Sequence, residues 1–194
     1  MSQLPLGARA DGVPKKKEDA DGAKSLIETL LLVGIAIGTV LRALFLGKRE
    51  FWYDEVLSLL LASGQKNSYK LPHKAPVAIS DIAALLDVPV KQGVGEKVTL
   101  AKDVVKGTLG DPHPPLFYLS EHGWMQLFGN SEAALRSWVM IVSLVTLFLA
   151  YWLGKRVLGR RGGLIFTALM ALNPFFFVHS LNLRMYGGMV FWVV

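Results

Sequence analysis

Three long apolar runs, residues 26–46, 137–153 and 164–183, constrain this chain more than any other feature of its sequence. A run of about twenty apolar residues matches the roughly 30 Å hydrocarbon core of a bilayer. The first run holds only Glu28 near one end and Arg42 about one turn from the other, positions from which long side chains can snorkel to headgroups. The second contains no charge and is bracketed by Arg136 and by Lys155 with Arg156; the third is uncharged when His179 is neutral. A cleaved signal peptide is a poor reading of the first run, which is too long and lacks a small-residue cleavage site. With 52% hydrophobic residues and a mean hydropathy of +0.40, the bilayer is the expected solvent. The fold class expected is therefore an all-α membrane protein.

The positions of the cations set the orientation. The net charge is +6, but the basic residues are split between an N-terminal tail and short clusters beside the apolar runs. That is a topology signal, and it argues against a nucleic-acid partner. Lys155, Arg156, Arg160 and Arg161 crowd one short loop, which the positive-inside rule places in the cytosol. The organisation that follows begins with a disordered cytosolic tail over residues 1–24 and a transmembrane helix over 25–47. An outer, extracytoplasmic loop covers 48–135. A second transmembrane helix covers 136–154, a cytosolic loop 155–163 and a third transmembrane helix 164–183. From residue 187 to 194 a further apolar run begins. The chain is thus expected to be multi-pass in an inner or plasma membrane, with its N-terminus inside. No cysteine is present, so no disulfide or thiolate chemistry enters.

Within the outer loop, two short apolar segments near 54–63 and 115–128 are expected to be interfacial helices. The second contains Ser120, Glu121, His122 and Gln126 and is too short to span. The leucine-rich first helix is expected to lie on the membrane surface. The stretch from about 65 to 110 is polar, rich in lysine, proline and glycine, with one amphipathic helix expected around 79–86 and no evident chemistry.

Three polar clusters reach the outer surface in this topology. In Phe51-Trp52-Tyr53-Asp54-Glu55, an aromatic belt leads directly into paired carboxylates. Asp54 serves either as a helix cap with Glu55 as a first-turn charge, or as a general base or metal ligand. In Asp111-Pro112-His113-Pro114-Pro115, three prolines stiffen the chain around a carboxylate and an imidazole. A plain structural turn is the alternative. In Arg184-Met185-Tyr186, an arginine at the exit of the third run suits a phosphate, or else marks the helix end.

Taken in order, these pieces resemble the N-terminal part of GT-C glycosyltransferases of the protein O-mannosyltransferase and aminoarabinose transferase type. The resemblance rests on residues 52–59 (Trp-Tyr-Asp-Glu-Val-Leu-Ser-Leu), 111–119 (Asp-Pro-His-Pro-Pro-Leu-Phe-Tyr-Leu) and 127–132 (Leu-Phe-Gly-Asn-Ser-Glu) with Leu135-Arg136. It also rests on Asn173-Pro174-Phe175 leading to Arg184-Met185-Tyr186. It implies a GT-C-like helical fold and transfer of a sugar from a polyprenyl-phosphate carrier to an acceptor outside the membrane. Asp54 would be the catalytic carboxylate supported by Glu55. Asp111 and His113 would shape the cavity, and Arg184 with Tyr186 would face the carrier phosphate. A divalent cation is a cofactor that such enzymes often use. Related sequences commonly carry an acidic residue two positions before the arginine of the third cluster, where this chain has Asn182.

The partners implied are membrane lipid, the polyprenyl-phosphate sugar donor and further membrane helices or subunits, since a carrier cavity needs more helices than three. The competing reading, from Asn182 and the short last run, is a non-catalytic scaffold subunit of a larger membrane complex.

Overall fold

The computed structural model describes residues 14–65, 93–109 and 111–194. Residues 1–13 of the expected tail and the amphipathic helix expected at 79–86 lie outside the described residues. Among the described residues seven helices run in the order α1 (Pro14–Phe45), α2 (Tyr53–Ala62), α3 (Val94–Thr108), α4 (Pro115–Phe128), α5 (Glu132–Leu172), α6 (Pro174–His179) and α7 (Tyr186–Val193), and there is no strand.

Two segments, Gly22–Phe45 and Glu132–Leu172, are helical, long and apolar enough to cross a membrane. Helix α1 starts at Pro14, so residues 14–24, read above as disordered, are helical. Proline is tolerated in a first helical turn, and the Lys, Glu and Ala that follow favour continuation. Beyond residue 22 the helix exposes Leu26, Leu30, Val33, Ile37 and Leu44.

At 41 residues, α5 would measure about 62 Å as one rod. It does not run straight. Gly159 takes φ 74° and ψ 177°, a region essentially restricted to glycine, and turns the chain into two limbs. The limbs meet at glycines: a Cβ on Gly154 would come within 2.9 Å of the Gly163 Cα, and one on Gly163 within 2.8 Å of the Tyr151 carbonyl oxygen. Only the missing side chains permit that approach. Helix α1 packs along this hairpin, α7 packs on it from another side, and α4 rests on both α5 and α3.

The second limb ends at Leu172 because Pro174 cannot continue it. The Asn173 side chain then accepts from the Phe176 amide at 2.9 Å and starts α6, with proline in the first turn. The apolar run 164–183 is therefore two helices followed by a turn. Residues 180–185 of that turn are all buried without being helical.

Arg42 corrects one expectation outright. It does not snorkel; it is fully buried, and its guanidinium donates to Ser180 Oγ, to Gly38 O and to Ala171 O, each at 2.9 Å. The Ala171 carbonyl belongs to the last turn of a limb that stops at Leu172, so it has lost its helical donor. The rings of Phe176 and Phe177 lie 5.3 and 5.0 Å from the Arg42 guanidinium carbon.

Helix α2 corrects another. Leu59, Leu60, Leu61 and Ala62 do not lie on a surface; all are buried. Leu59 and Ala62 join Met125, Leu135, Val139 and Leu183 in one apolar cluster, and Leu61 joins Val104 and Tyr118 in a second. The leucine surplus is consumed by contacts with α3, α4 and α5. Helix α3 itself was not foreseen: Val104, Gly107 and Thr108 give it a buried stripe, and Gly64, at φ +73°, brings the end of α2 over it.

Candidate functional site

The three polar clusters meet where α2, α4 and the turn after α6 come together. The adjacent carboxylates Asp54 and Glu55 have separate roles. Glu55 is fully buried and grips Arg136 through two bonds, Nε to Oε1 at 2.9 Å and Nη2 to Oε2 at 2.8 Å. Its Oε1 also accepts from the Leu183 amide at 2.9 Å, and its Oε2 from the Trp52 amide at 3.2 Å. Arg136 reaches on to the carbonyls of Leu46, Arg49 and Glu50. A planar fork facing a carboxylate is a strong, directional pair. Here it ties the end of α1, the start of α2, the start of α5 and the buried turn into one unit. The turn needs such an anchor, because a buried amide outside a helix must find an acceptor.

Asp54 is free of that network. Because the Trp52 amide is satisfied by Glu55, Glu55 rather than Asp54 caps α2, and the cap reading of Asp54 is overturned. Asp54 sits in the first turn, partly exposed, with its backbone carbonyl facing Arg184 Nη1 at 3.4 Å.

Arg184 is 7% exposed, so it does not mark a solvent-facing helix end. Its Nη1 also lies 3.3 Å from Ser58 Oγ, the Tyr186 ring is 5.7 Å from its guanidinium carbon, and its buried Nε has no hydrogen-bond partner. Asp111 and His113 form a compact pair: Asp111 Oδ1 accepts from the His113 amide at 3.0 Å and lies 2.5 Å from the ring Nδ1. Tyr118 connects the clusters. Burial, with Asp111 as the next influence and Arg184 opposing, pushes its phenol up to about 12, so it holds its proton as a donor.

Glu121 was not singled out in the sequence. It is fully buried in α4, and neither carboxyl oxygen has a hydrogen-bond partner. Burial raises its pKa well above the usual carboxylate range; Arg184 opposes the shift and Glu55 adds to it. The sequence signal was present as one carboxylate inside an otherwise apolar helix. Arg136 was read as a bracket of the second run and as part of the family resemblance, with no partner assigned to it. Asn182 is buried, and its Oδ1 accepts from Arg49 Nη2 at 2.5 Å; Arg49 also lies 3.9 Å from Glu55.

Among the described residues no three His, Asp or Glu side chains come close enough to share a metal ion. Glu55 is taken up by Arg136, and Asp111 with His113 offers only two donors. The residues described thus do not fit the divalent cation implied above.

Beside Arg184 opens an apolar groove of about 780 Å³, whose lining includes Phe117, Ser120, Trp138, Val142, Met185 and Trp192. Its size lies within the range of small-molecule sites.

Residues 112–193, less than half of the chain, match the family model described as dolichyl-phosphate-mannose-protein mannosyltransferase, and that stretch is similar to glycosyltransferases of the GT-C type. The match takes in all but the first residue of the 111–119 segment, together with Arg136, Glu121 and the Arg184–Tyr186 cluster, and does not reach Asp54 or Glu55. No curated protein and no solved structure matches the chain significantly.

Proposed function

We propose, proceeding from the match of residues 112–193 to the mannosyltransferase family, that the chain acts in a membrane glycosyltransferase taking a sugar from a polyprenyl-phosphate donor. The acceptor is a hydroxyl on the outer side of the membrane. The observation that carries this reading is that the buried guanidinium of Arg184 lies against the backbone carbonyl of Asp54, whose carboxylate is the one of the pair left outside the Arg136 network. In the reaction, Asp54 takes the acceptor hydroxyl proton while the oxygen bonds to the anomeric carbon. The bond from that carbon to the phosphate oxygen breaks, and its electron pair leaves on the carrier phosphate. Arg184, with an unpartnered Nε, meets the growing charge, and the Tyr118 phenol is a proton-bearing neighbour. Glu55 is a positioning residue, since it holds the Leu183 amide next to Arg184. Asp111 and His113 shape the cavity wall beside Tyr118, and Tyr186 flanks the guanidinium. The apolar groove beginning at Met185 suits an isoprenoid chain whose phosphate is held at Arg184.

The surface of α4 supports a membrane setting. Its buried face carries Tyr118, Glu121, His122 and Met125, while Leu116, Leu127 and Phe128 are exposed, the inverse of a helix in water. The test uses the full chain in vesicles with a polyprenyl-phosphate sugar. Asp54→Asn should lower transfer by roughly a hundredfold or more, with the unfolding temperature unchanged. Unaltered transfer would remove Asp54 from the chemistry. Wild-type chain that transfers no sugar yet co-purifies with other membrane proteins would favour the scaffold reading.

A further inference from the structure

A second cavity lies at the opposite end of the α5 hairpin from Arg184. It measures about 520 Å³ between α1 and both limbs. Its walls include Ile35, Leu144, Leu147 and Leu164, and Lys155 and Arg160 stand in its lining on either side of the Gly159 turn. Lys155 is exposed and makes no ion pair among the described residues. Arg160 is 3.2 Å from Glu28 of α1, which also lies 3.3 Å from Arg161, so one carboxylate is shared by two guanidinium groups. Arg156, which is not part of the cavity lining, stacks over Trp152 at 3.8 Å. Among the described side chains the cations around the turn outnumber the one carboxylate paired with them, Glu28, and two of the cations line the apolar slot.

We infer that this cavity binds an anionic glycerophospholipid of the leaflet at the Gly159 turn, one acyl chain between α1 and the hairpin and the phosphate on Lys155 and Arg160. An apolar slot ending in cations matches the two ends of such a lipid, and basic pockets between membrane helices attract acidic headgroups. A slot this size is within the range of ligand sites. The carrier site proposed above is separate, since its groove is lined by α4, the first limb and α7 and shares no residue with this one.

The experiment takes the full chain, purified and stripped of lipid in detergent, and offers it phosphatidylglycerol or phosphatidylcholine at equal concentration. Bound lipid is counted by native mass spectrometry. Wild type should retain phosphatidylglycerol preferentially. The double variant Lys155→Gln with Arg160→Gln should retain roughly thirtyfold less, the scale set by losing two cations near a charged headgroup. Thr39 of α1 also lines the slot; Thr39→Trp, which fills it without changing charge, should show a comparable loss, and Arg156→Gln should behave as wild type. Equal retention of the two lipids would overturn the site. So would an equal loss in Arg156→Gln, which would mean diffuse charge attraction, or displacement of phosphatidylglycerol by a polyprenyl phosphate.

Discussion

Replacing Glu55 by Gln leaves Arg136 buried and charged while removing the carboxylate that holds it. Breaking one partner of a buried pair costs about 3–5 kcal/mol, so Glu55→Gln should lower the unfolding temperature in detergent strongly. Asp54→Asn, one residue away, should not. Replacing both partners, Glu55→Met with Arg136→Leu, should recover part of the loss, as hydrophobic substitutes for buried pairs do. Glu121 gives a pH signature of opposite kind. Its folded pKa is raised, chiefly by burial, so its contribution is fully present below the unfolded glutamate value of roughly 4.3 and is lost as pH rises through the folded pKa. Unfolding temperatures across that window should fall with pH in wild type and fall less in Glu121→Gln. Identical slopes would show that Glu121 ionises freely. Both residues were visible in the sequence as carboxylates, but their states were not. Glu55 and Asp54 are equivalent until an arginine 81 residues later reaches one of them.

At the scale of elements, the hairpin rests on glycine. Gly159→Ala must hold a φ of 74°, at a cost of about 1–3 kcal/mol, and should lower the unfolding temperature. Gly123→Ala in α4 meets nothing within 4 Å and relieves a helix-interior glycine, so it should stabilise by roughly 0.5–1 kcal/mol. The same thermal melts read both. Helix α5 illustrates what patterning reports well, for its two limbs follow the apolar runs, with the basic cluster at the turn between them. Helix α2 illustrates what it misses. A leucine-rich segment looks the same whether its partner is lipid or Met125 and Leu135, because burial depends on what arrives from elsewhere in the chain. The breaks at Pro174 and after His179 were similarly masked by hydropathy, which does not register that residues 180–185 leave the helix while remaining buried.

For the whole molecule, the absence of cysteine makes the orientation directly testable. With the basic turn inside, Lys97→Cys in α3 should react with an impermeant thiol reagent on intact cells. Val157→Cys, beside the turn and exposed, should react only after permeabilisation. The reverse pattern would invert the proposed topology and move the Arg184 site to the other side. Agreement would place the Arg184 groove and the Lys155 cavity in opposite leaflets, as expected for sites at opposite ends of one hairpin.

Hydropathy, proline and charge sufficed by themselves to establish the all-helical class, the apolar runs that become α1 and the two limbs of α5, and the clusters at 51–55, 111–115 and 184–186, but not that the third run stops at Leu172. Those signals are local, carried by residues within a few turns of each other. Which carboxylate is buried in a pair, which is left available, why Arg42 turns inward and where Glu121 lies were decided only by the tertiary structure. Each depends on donors or burial supplied by segments distant in sequence, and local spacing carries no record of them.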